Sequence, residues 1–363
     1  MPEKTVNLKQ LSKHLGLSQT TVSRALNGFP EVSEKTRQKV RLAADKFNYR
    51  PSPSASSLAT GKARIIGHVV PVSEHRMINP HFSDFLAGAS DAYAQAGYDL
   101  LIRAAQPDEE AGIYRDFVSR NRVDGVVVHG PRVNETRIEF LQSIGLPFVV
   151  HGRAGGEEHS YSWLDVDNRS AIEKLTNYLI DLGHRRIALI NGLETMNFAH
   201  RRRLGYEAAL QDHGIDVDPV LISSRDMNEP YGYEATMAKL DMPNPPTAFI
   251  YSSVLSALGG MRAANMRGLL PGQDISLATF DDRLSFLQSG GGENGGKKGG
   301  DSANGVMGAG STPYMTSVSS SIQDAGRRVG EMLMDQISNP GTPPVCELWK
   351  TDLIIGTTTG KPA

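Results

Sequence analysis

Between residues 18 and 27 the chain sets out Ser18, Gln19, Thr20, Thr21, Ser23, Arg24 and Asn27: four hydroxyls, two amides and one guanidinium. These groups are short hydrogen-bond donors and acceptors, without the nucleophile-base pairing that covalent chemistry needs. On one face of a helix they can reach base edges and phosphates in a DNA major groove, with no bulk to hold the helix away. A second set of polar groups stands at strand ends. His129 follows Val126-Val127-Val128 and His151 follows Phe148-Val149-Val150. In a parallel sheet such positions deliver side chains to a ligand cleft; the alternative reading is a pair of satisfied loop histidines.

The elements needed to position the first set are legible around it. Asn7 caps a short helix with Gln10 at its third position, and Leu8, Leu11, Leu15 and Leu17 form its apolar stripe. Gly16 supplies the turn, and Ser18 caps a second helix. Val22, Ala25 and Leu26 face inward there, leaving Gln19, Thr20, Ser23 and Arg24 outward. A third helix, capped by Ser33 and running to about Asn48, is expected to bury Val40, Leu42, Ala43 and Phe47. Two short helices joined by a glycine turn, the second tipped with small polar side chains, are the geometry of a helix-turn-helix unit. Tyr49-Arg50-Pro51 ends the third helix. Ser54 to Lys62 is too short and too polar to hold a helix alone; it reads either as a plain linker or as a hinge helix that folds only on DNA. In the second case Leu58 would wedge between base pairs in the minor groove.

Leu17 to Gly28, Val32 to Arg37, Asn48 to Pro51 and Ser57 to Lys62 resemble, in order and spacing, the lac repressor/galactose repressor family. Four linked segments in register are far more specific than one helix-turn-helix pattern. The resemblance implies α/β architecture: an N-terminal three-helix DNA-binding domain (1–51), a hinge helix (52–63), and a two-lobed periplasmic-binding-protein-like body (64–363) of doubly wound parallel sheets. It also implies DNA contacts from Ser18, Gln19, Thr20, Thr21, Ser23, Arg24, Asn27, Ser33, Thr36 and Leu58. In the body, Asn79-Pro80-His81-Phe82 matches the position where an apolar or aromatic side chain meets the effector. Arg202 matches the family arginine that holds ligand oxygens, and Asp281 the acidic residue that accepts from sugar hydroxyls. Met227 occupies a place often held by a stacking aromatic, and Ser253-Val254 replaces a usual Asn-Asp pair. With His129 and His151, these residues suit a neutral carbohydrate. Pro147 to Arg153, Leu164 to Asn168, Leu182 to Gly192 and Phe198 to Tyr206 resemble the subgroup that controls alpha-glucoside uptake and use.

The remaining sequence fits such a protein. Strands around 65–70, 98–102, 125–128, 148–150, 186–190, 248–251 and 275–280 alternate with helical stretches, which argues parallel sheets covered on both faces. Within the first 64 residues, twelve lysines and arginines stand against Glu3, Glu31, Glu34 and Asp45, whereas the whole chain has formal net charge −2. A basic head on an acidic body places phosphate attraction at one end. With one cysteine, Cys346, an intrachain disulfide is excluded, and no run of apolar residues is long enough to span a membrane. A cytoplasmic protein without cofactor or metal is expected: the histidines are scattered, and Asp165-Val166-Asp167-Asn168 lacks the glycine and distal glutamate of a calcium loop. Asn168 is read as a helix cap. The glycine-rich insertion at about 288–311 lacks the Gly-Lys-Ser/Thr context of a phosphate loop and reads as a flexible surface loop.

Four function classes meet these residues. A homodimeric regulator, a repressor by the resemblance, would bind a near-palindromic operator under control of a small sugar. An enzyme would need a nucleophile-base pair or dinucleotide fingerprint, which the sequence lacks. A free sugar-transport protein would need an export signal and would not carry the basic head. A regulator driven by a protein partner stays open, as does whether the effector releases DNA or recruits the protein to it.

Overall fold

The computed structural model describes residues 6–50, 60–71, 80–106, 108–154, 160–288 and 315–362. Leu58 with most of the hinge, and the glycine-rich insertion, lie outside the described residues. The head consists of α1 (Leu8–Leu15), α2 (Gln19–Leu26) and α3 (Glu34–Lys46). The Asn7 side-chain oxygen Oδ1 accepts from the Gln10 backbone amide at 2.9 Å, and Gln10 Oε1 accepts from the Asn7 backbone amide at 3.0 Å, which closes a capping box. Gly16 takes φ +66° and so turns the chain where a Cβ would be strained. Leu11, Leu15, Val22, Ala25, Val40 and Ala44 form the core of the three helices. Leu42, expected inside, is 66% exposed. Val40, Ala44 and Phe47 recur at helical spacing on one face, and a residue two positions from Val40 necessarily points away.

The body begins with β1 (Ile65–Pro71), α4 (Pro80–Gln95), β2 (Asp99–Ala105), α5 (Glu110–Ser119), β3 (Gly125–His129), α6 (Arg137–Ser143), β4 (Phe148–His151) and β5 (Ser162–Val166). A second series follows: α7 (Asn168–Asp181), β6 (Ile187–Asn191), α8 (Asn197–Asp212), β7 (Ile222–Ser224), α9 (Glu229–Leu240), β8 (Ala248–Tyr251), α10 (Val254–Met266), β9 (Ser276–Asp281), α11 (Ser285–Gln288) and β10 (Thr316–Ser319). The chain then returns through α12 (Ile322–Ser338), β11 (Cys346–Trp349) and β12 (Asp352–Ile354).

Two six-stranded sheets result, in the orders β11-β5-β4-β3-β1-β2 and β12-β10-β9-β8-β6-β7. Every pairing is parallel except β10 with β12. Alternation along the strands explains the two-faced packing. Val126 and Val128 join a core under α5 and α6, while Val127 between them joins one under α4 and α12. Ile187 and Leu189 divide from Ala188 and Ile190 in the same way in the second lobe. Helices α4 and α12 approach closely because Gly88 and Gly326 lie at the contact: a Cβ on Gly88 would strike the Gln323 carbonyl, and one on Gly326 the Phe85 carbonyl.

The chain passes between lobes after β5, after β10 and after β11. Hydrogen bonds also tie one lobe to the other. Val133 donates its amide to Thr195 O and Asn197 its amide to Pro131 O, both at 2.9 Å. Elsewhere, Ser285 donates its amide to the Asp84 carboxylate at 2.7 Å. Where the hinge enters the body, the Asp124 carboxylate accepts from the amides of both Ala63 and Arg64 at 2.8 Å. These two bonds tie residues 63 and 64 to the first lobe.

Candidate functional site

In the head, the Ser18 hydroxyl accepts from the Thr21 amide at 3.0 Å and lies 2.8 Å from the Thr21 hydroxyl, so both hydroxyls fix the start of α2. Ser33 and Thr36 repeat this arrangement at the start of α3, with hydroxyls 2.9 Å apart. Asn27 donates its amide to the Ser23 carbonyl at 2.9 Å and closes the far end of α2. Gln19, Thr20 and Arg24 are exposed on the outer surface of α2, Ser23 is half-buried, and Val22 and Ala25 are buried beneath them. The helix thus presents an amide, a hydroxyl and a guanidinium from a rigid support, which is what reading a groove requires.

Between the lobes lies a cavity of about 270 Å³. His81, Phe82, His129, His151, Arg202 and Met227 line it, as the sequence reading places them. Parallel register brings His129 and His151 side by side at the ends of β3 and β4. Gly130 and Gly152, at φ +50° and +105°, then turn the chain away. A buried ion network supports this rim: Arg137 donates to the carbonyls of His129 and Gly130 at 3.3 Å and pairs with Glu135.

Two expected contacts are not in the cavity wall. Ser253 is fully buried, and its hydroxyl accepts from the Leu255 amide at 3.2 Å as the cap of α10. Asp281, the last residue of β9, is buried and accepts from the Arg283 amide at 2.8 Å, so it closes the turn that follows. Its neighbour Asp282, not Asp281, lines the cleft, with its carboxylate 2.8 Å from His81 Nε2. The two exchanged places because successive residues at a strand end point to opposite sides. Asn168 is likewise not the cap of α7. Asp167 is, accepting from the Ser170 amide at 3.2 Å, and Asn168 turns into the cleft.

Arg202 is fixed there by its surroundings. Its Nε donates to Asn168 Oδ1 at 2.8 Å and its Nη1 to the Ser252 carbonyl, and its guanidinium lies 3.7 Å from the Phe280 ring centroid. Burial brings its pKa down to about 10, so it is still charged near neutrality. The guanidinium is a planar fork, a geometry suited to vicinal oxygens. Burial raises the Asp282 carboxyl, but His81, Arg202 and His151 more than offset this and hold it below the usual range. Burial drives His151 down to about 4 and His129 well below its ordinary value, so both imidazoles are neutral. Asp165, paired with Arg153 at 3.1 Å and donated to by Asn168 at 3.2 Å, is pushed up to about 6 by burial.

The cleft therefore combines a fixed cation and an anion, two neutral imidazoles and the aromatic surfaces of Phe82, Phe85, Phe198 and Phe280. Residues 7–52 match the family model described as bacterial regulatory proteins, lacI family, and residues 63–344 match periplasmic binding proteins and sugar binding domain of LacI family. The chain belongs to the lacI family. The HTH-type transcriptional regulator AglR of Rhizobium meliloti is 41% identical, covering 98% of this chain and 94% of its own. A solved transcriptional regulator CelR-cellobiose complex superposes with TM-score 0.68 at 25% identity, over 97% of this chain and 99% of that one. The lac repressor dimer bound to operator and the anti-inducer ONPF gives TM-score 0.78 at 22% identity, over 98% and 100% of the two chains. As a lacI-family member the chain is a DNA-binding transcriptional regulator and not an enzyme. Its head is the helix-turn-helix unit and its body the sugar-binding-domain fold, as the sequence pattern indicates.

Sequence reasoning missed Phe85, Asp165, Asn168, Phe198, Phe280 and Asp282 as cleft residues, and His68 behind them. Among the described residues, no group of three or more histidine, cysteine, aspartate or glutamate side chains is placed to hold a metal, and no helix is long and apolar enough to cross a membrane.

Proposed function

We propose that the interlobe cleft binds a neutral sugar of the alpha-glucoside type, and that its occupancy sets the affinity of a homodimeric repressor for a near-palindromic operator. The observation that carries this reading is the origin of the polar groups. His81, His129 and His151 come from the first lobe, Arg202 and Asp282 from the second, and all of them line one cavity. A polyol spanning the cavity would pair with Asp282 through its hydroxyl hydrogens and with Arg202 through its oxygens, with Phe82 and Met227 against its apolar face. The cellobiose complex of the related regulator supports a sugar as the ligand class.

A ligand bridging both lobes favours one lobe angle over another, and it can shift DNA affinity only by that difference. Gln19, Thr20 and Arg24 would read the groove, the other α2 and α3 hydroxyls would hold the helix ends and meet phosphates, and Leu58 would serve as the minor-groove wedge. The protein would work in the cytoplasm on genes of carbohydrate uptake or catabolism. Calorimetry of the full-length protein against maltose, sucrose, trehalose, cellobiose and ribose tests the ligand class. The expected result is saturable heat with an alpha-glucoside that vanishes in Arg202→Ala; heat with none of the sugars would overturn the reading.

A further inference from the structure

His68 lies in the middle of β1 and is fully buried. A buried imidazole must find partners for both nitrogens, and this one does. Its Nδ1 is 2.9 Å from His129 Nε2 and its Nε2 is 3.1 Å from the Tyr93 hydroxyl of α4, itself 1% exposed. The three side chains make a chain of hydrogen bonds from the core to the cleft, which His129 lines. Burial holds His68 at about 3 and His129 well below its ordinary range, and raises the Tyr93 phenol. Both imidazoles are therefore neutral, each with a single N–H, and the phenol keeps its proton.

Under those conditions the chain can run in two directions. In the first, Tyr93 donates its O–H to His68 Nε2, His68 donates Nδ1–H to His129 Nε2, and His129 carries its proton on Nδ1. In the second, His129 donates Nε2–H to His68 Nδ1 and His68 donates Nε2–H to the phenol oxygen. The second direction strands the phenol proton, since no other described acceptor is hydrogen-bonded to Tyr93, and an unpaired buried donor is the costly arrangement. Which nitrogen of a neutral imidazole carries the proton is set by the bond its other nitrogen makes.

We propose that Tyr93 and His68 are positioning residues that hold His129 as the Nδ1–H tautomer, so that the cleft meets its ligand here with a fixed hydrogen-bond donor. The specificity consequence rests on the sugar reading of the cleft. A hydroxyl can donate or accept, but a ring or glycosidic oxygen only accepts, so a donor locked at His129 favours a ligand that places an ether oxygen against it. A donor-only group, such as an ammonium on an amino sugar, is disfavoured at the same point.

The test is histidine tautomer by ¹⁵N-resolved long-range proton–nitrogen NMR on full-length protein, with the His129 signals assigned by their loss in His129→Gln. Wild type is expected to show protonated-type Nδ1 and acceptor-type Nε2 for His129. Tyr93→Phe leaves His68 Nε2 unpaired in either direction, as acceptor in the first and as donor in the second, so the bias shrinks: the Nδ1–H excess of His129 should fall and maltose binding should weaken by roughly three- to tenfold, the size expected for one hydrogen bond. His68→Gln can accept from Tyr93 through its oxygen and donate to His129 through its nitrogen, so it should restore both readouts. His68→Leu should lose both, with thermal melts checking that each variant folds. An Nε2–H tautomer of His129 in wild type, or the same tautomer population in wild type and Tyr93→Phe, overturns the proposal whatever the sugar titration shows. The expected tautomers without any sugar heat in wild type would support the positioning role and overturn the carbohydrate reading alone.

Discussion

Asp281 and Asp282 are adjacent carboxylates in different surroundings, and exchanging each for asparagine separates their effects. Asp282 lines the cleft, 2.8 Å from His81 Nε2, and faces the fixed charge of Arg202. Its anion is the acceptor that a sugar hydroxyl would use, and a hydrogen bond to a charged group is worth about 1.5–3 kcal/mol. Asp282→Asn should therefore raise the maltose Kd by roughly 10- to 150-fold. Asp281 spends its carboxylate on the Arg283 amide at 2.8 Å, and an asparagine oxygen can accept that same bond. Asp281→Asn should leave Kd within about threefold. Isothermal titration with maltose reads both variants, and thermal melts show whether either change is a folding defect. A tenfold loss in Asp281→Asn with wild-type affinity in Asp282→Asn would refute the assignment of the two side chains.

Three more expectations follow from the structure. Replacing Gln19 and Thr20 together by alanine should flatten operator preference by about 1–3 kcal/mol per lost base contact, and Arg24→Ala should weaken binding to all duplexes; competition assays with scrambled DNA separate the two effects. Gly88→Ala should cost about 1–3 kcal/mol of stability in a denaturant melt, because its Cβ would strike the Gln323 carbonyl between α4 and α12. For pH, His68 and His151 are held at about 3 and about 4 against an ordinary 6.5. The unfolded chain therefore binds their protons first, so stability is fully present above about 6.5 and falls as pH drops toward 4. Asp165, held up at about 6, works the other way: its contribution is present below the ordinary 3.8 and is lost as pH rises through 6, so it offsets one histidine in that window. Thermal melts from pH 7 to 4 should show a declining Tm, with a shallower decline in His68→Gln.

Local rules made much of this molecule legible. The capping box at Asn7 and Gln10, the glycine turn and the serine caps depend on residues within four positions of one another, and the structure has them all. Apolar strands alternating with helices also showed through, and with them the strand-end placement of His129 and His151. What failed depended on register or on distance. Whether Asp281 or Asp282 faces the cleft turns on a single residue of strand parity, which composition does not encode. Asp167 took the cap expected of Asn168 by the same margin. His68 looked like one more residue in an apolar strand, because its partners Tyr93 and His129 stand 25 and 61 positions away. The strands β7, β10, β11 and β12 have three or four residues each and mix polar side chains among them, so they lack the apolar run that marks the equally short β4 and β8.

The central claim is that occupancy of the cleft and affinity for DNA are coupled, and an operator titration with and without sugar tests it most directly. Full-length protein would be titrated onto a duplex selected from a random pool, first alone and then with saturating maltose or whichever alpha-glucoside gives heat. The expected change in operator Kd is about 5- to 150-fold, and by linkage the same factor in sugar Kd when operator is bound. Arg202→Ala should bind operator normally and show no sugar effect, since Arg202 lies in the cleft. An operator Kd that does not move while calorimetry shows the cleft filled would contradict the account.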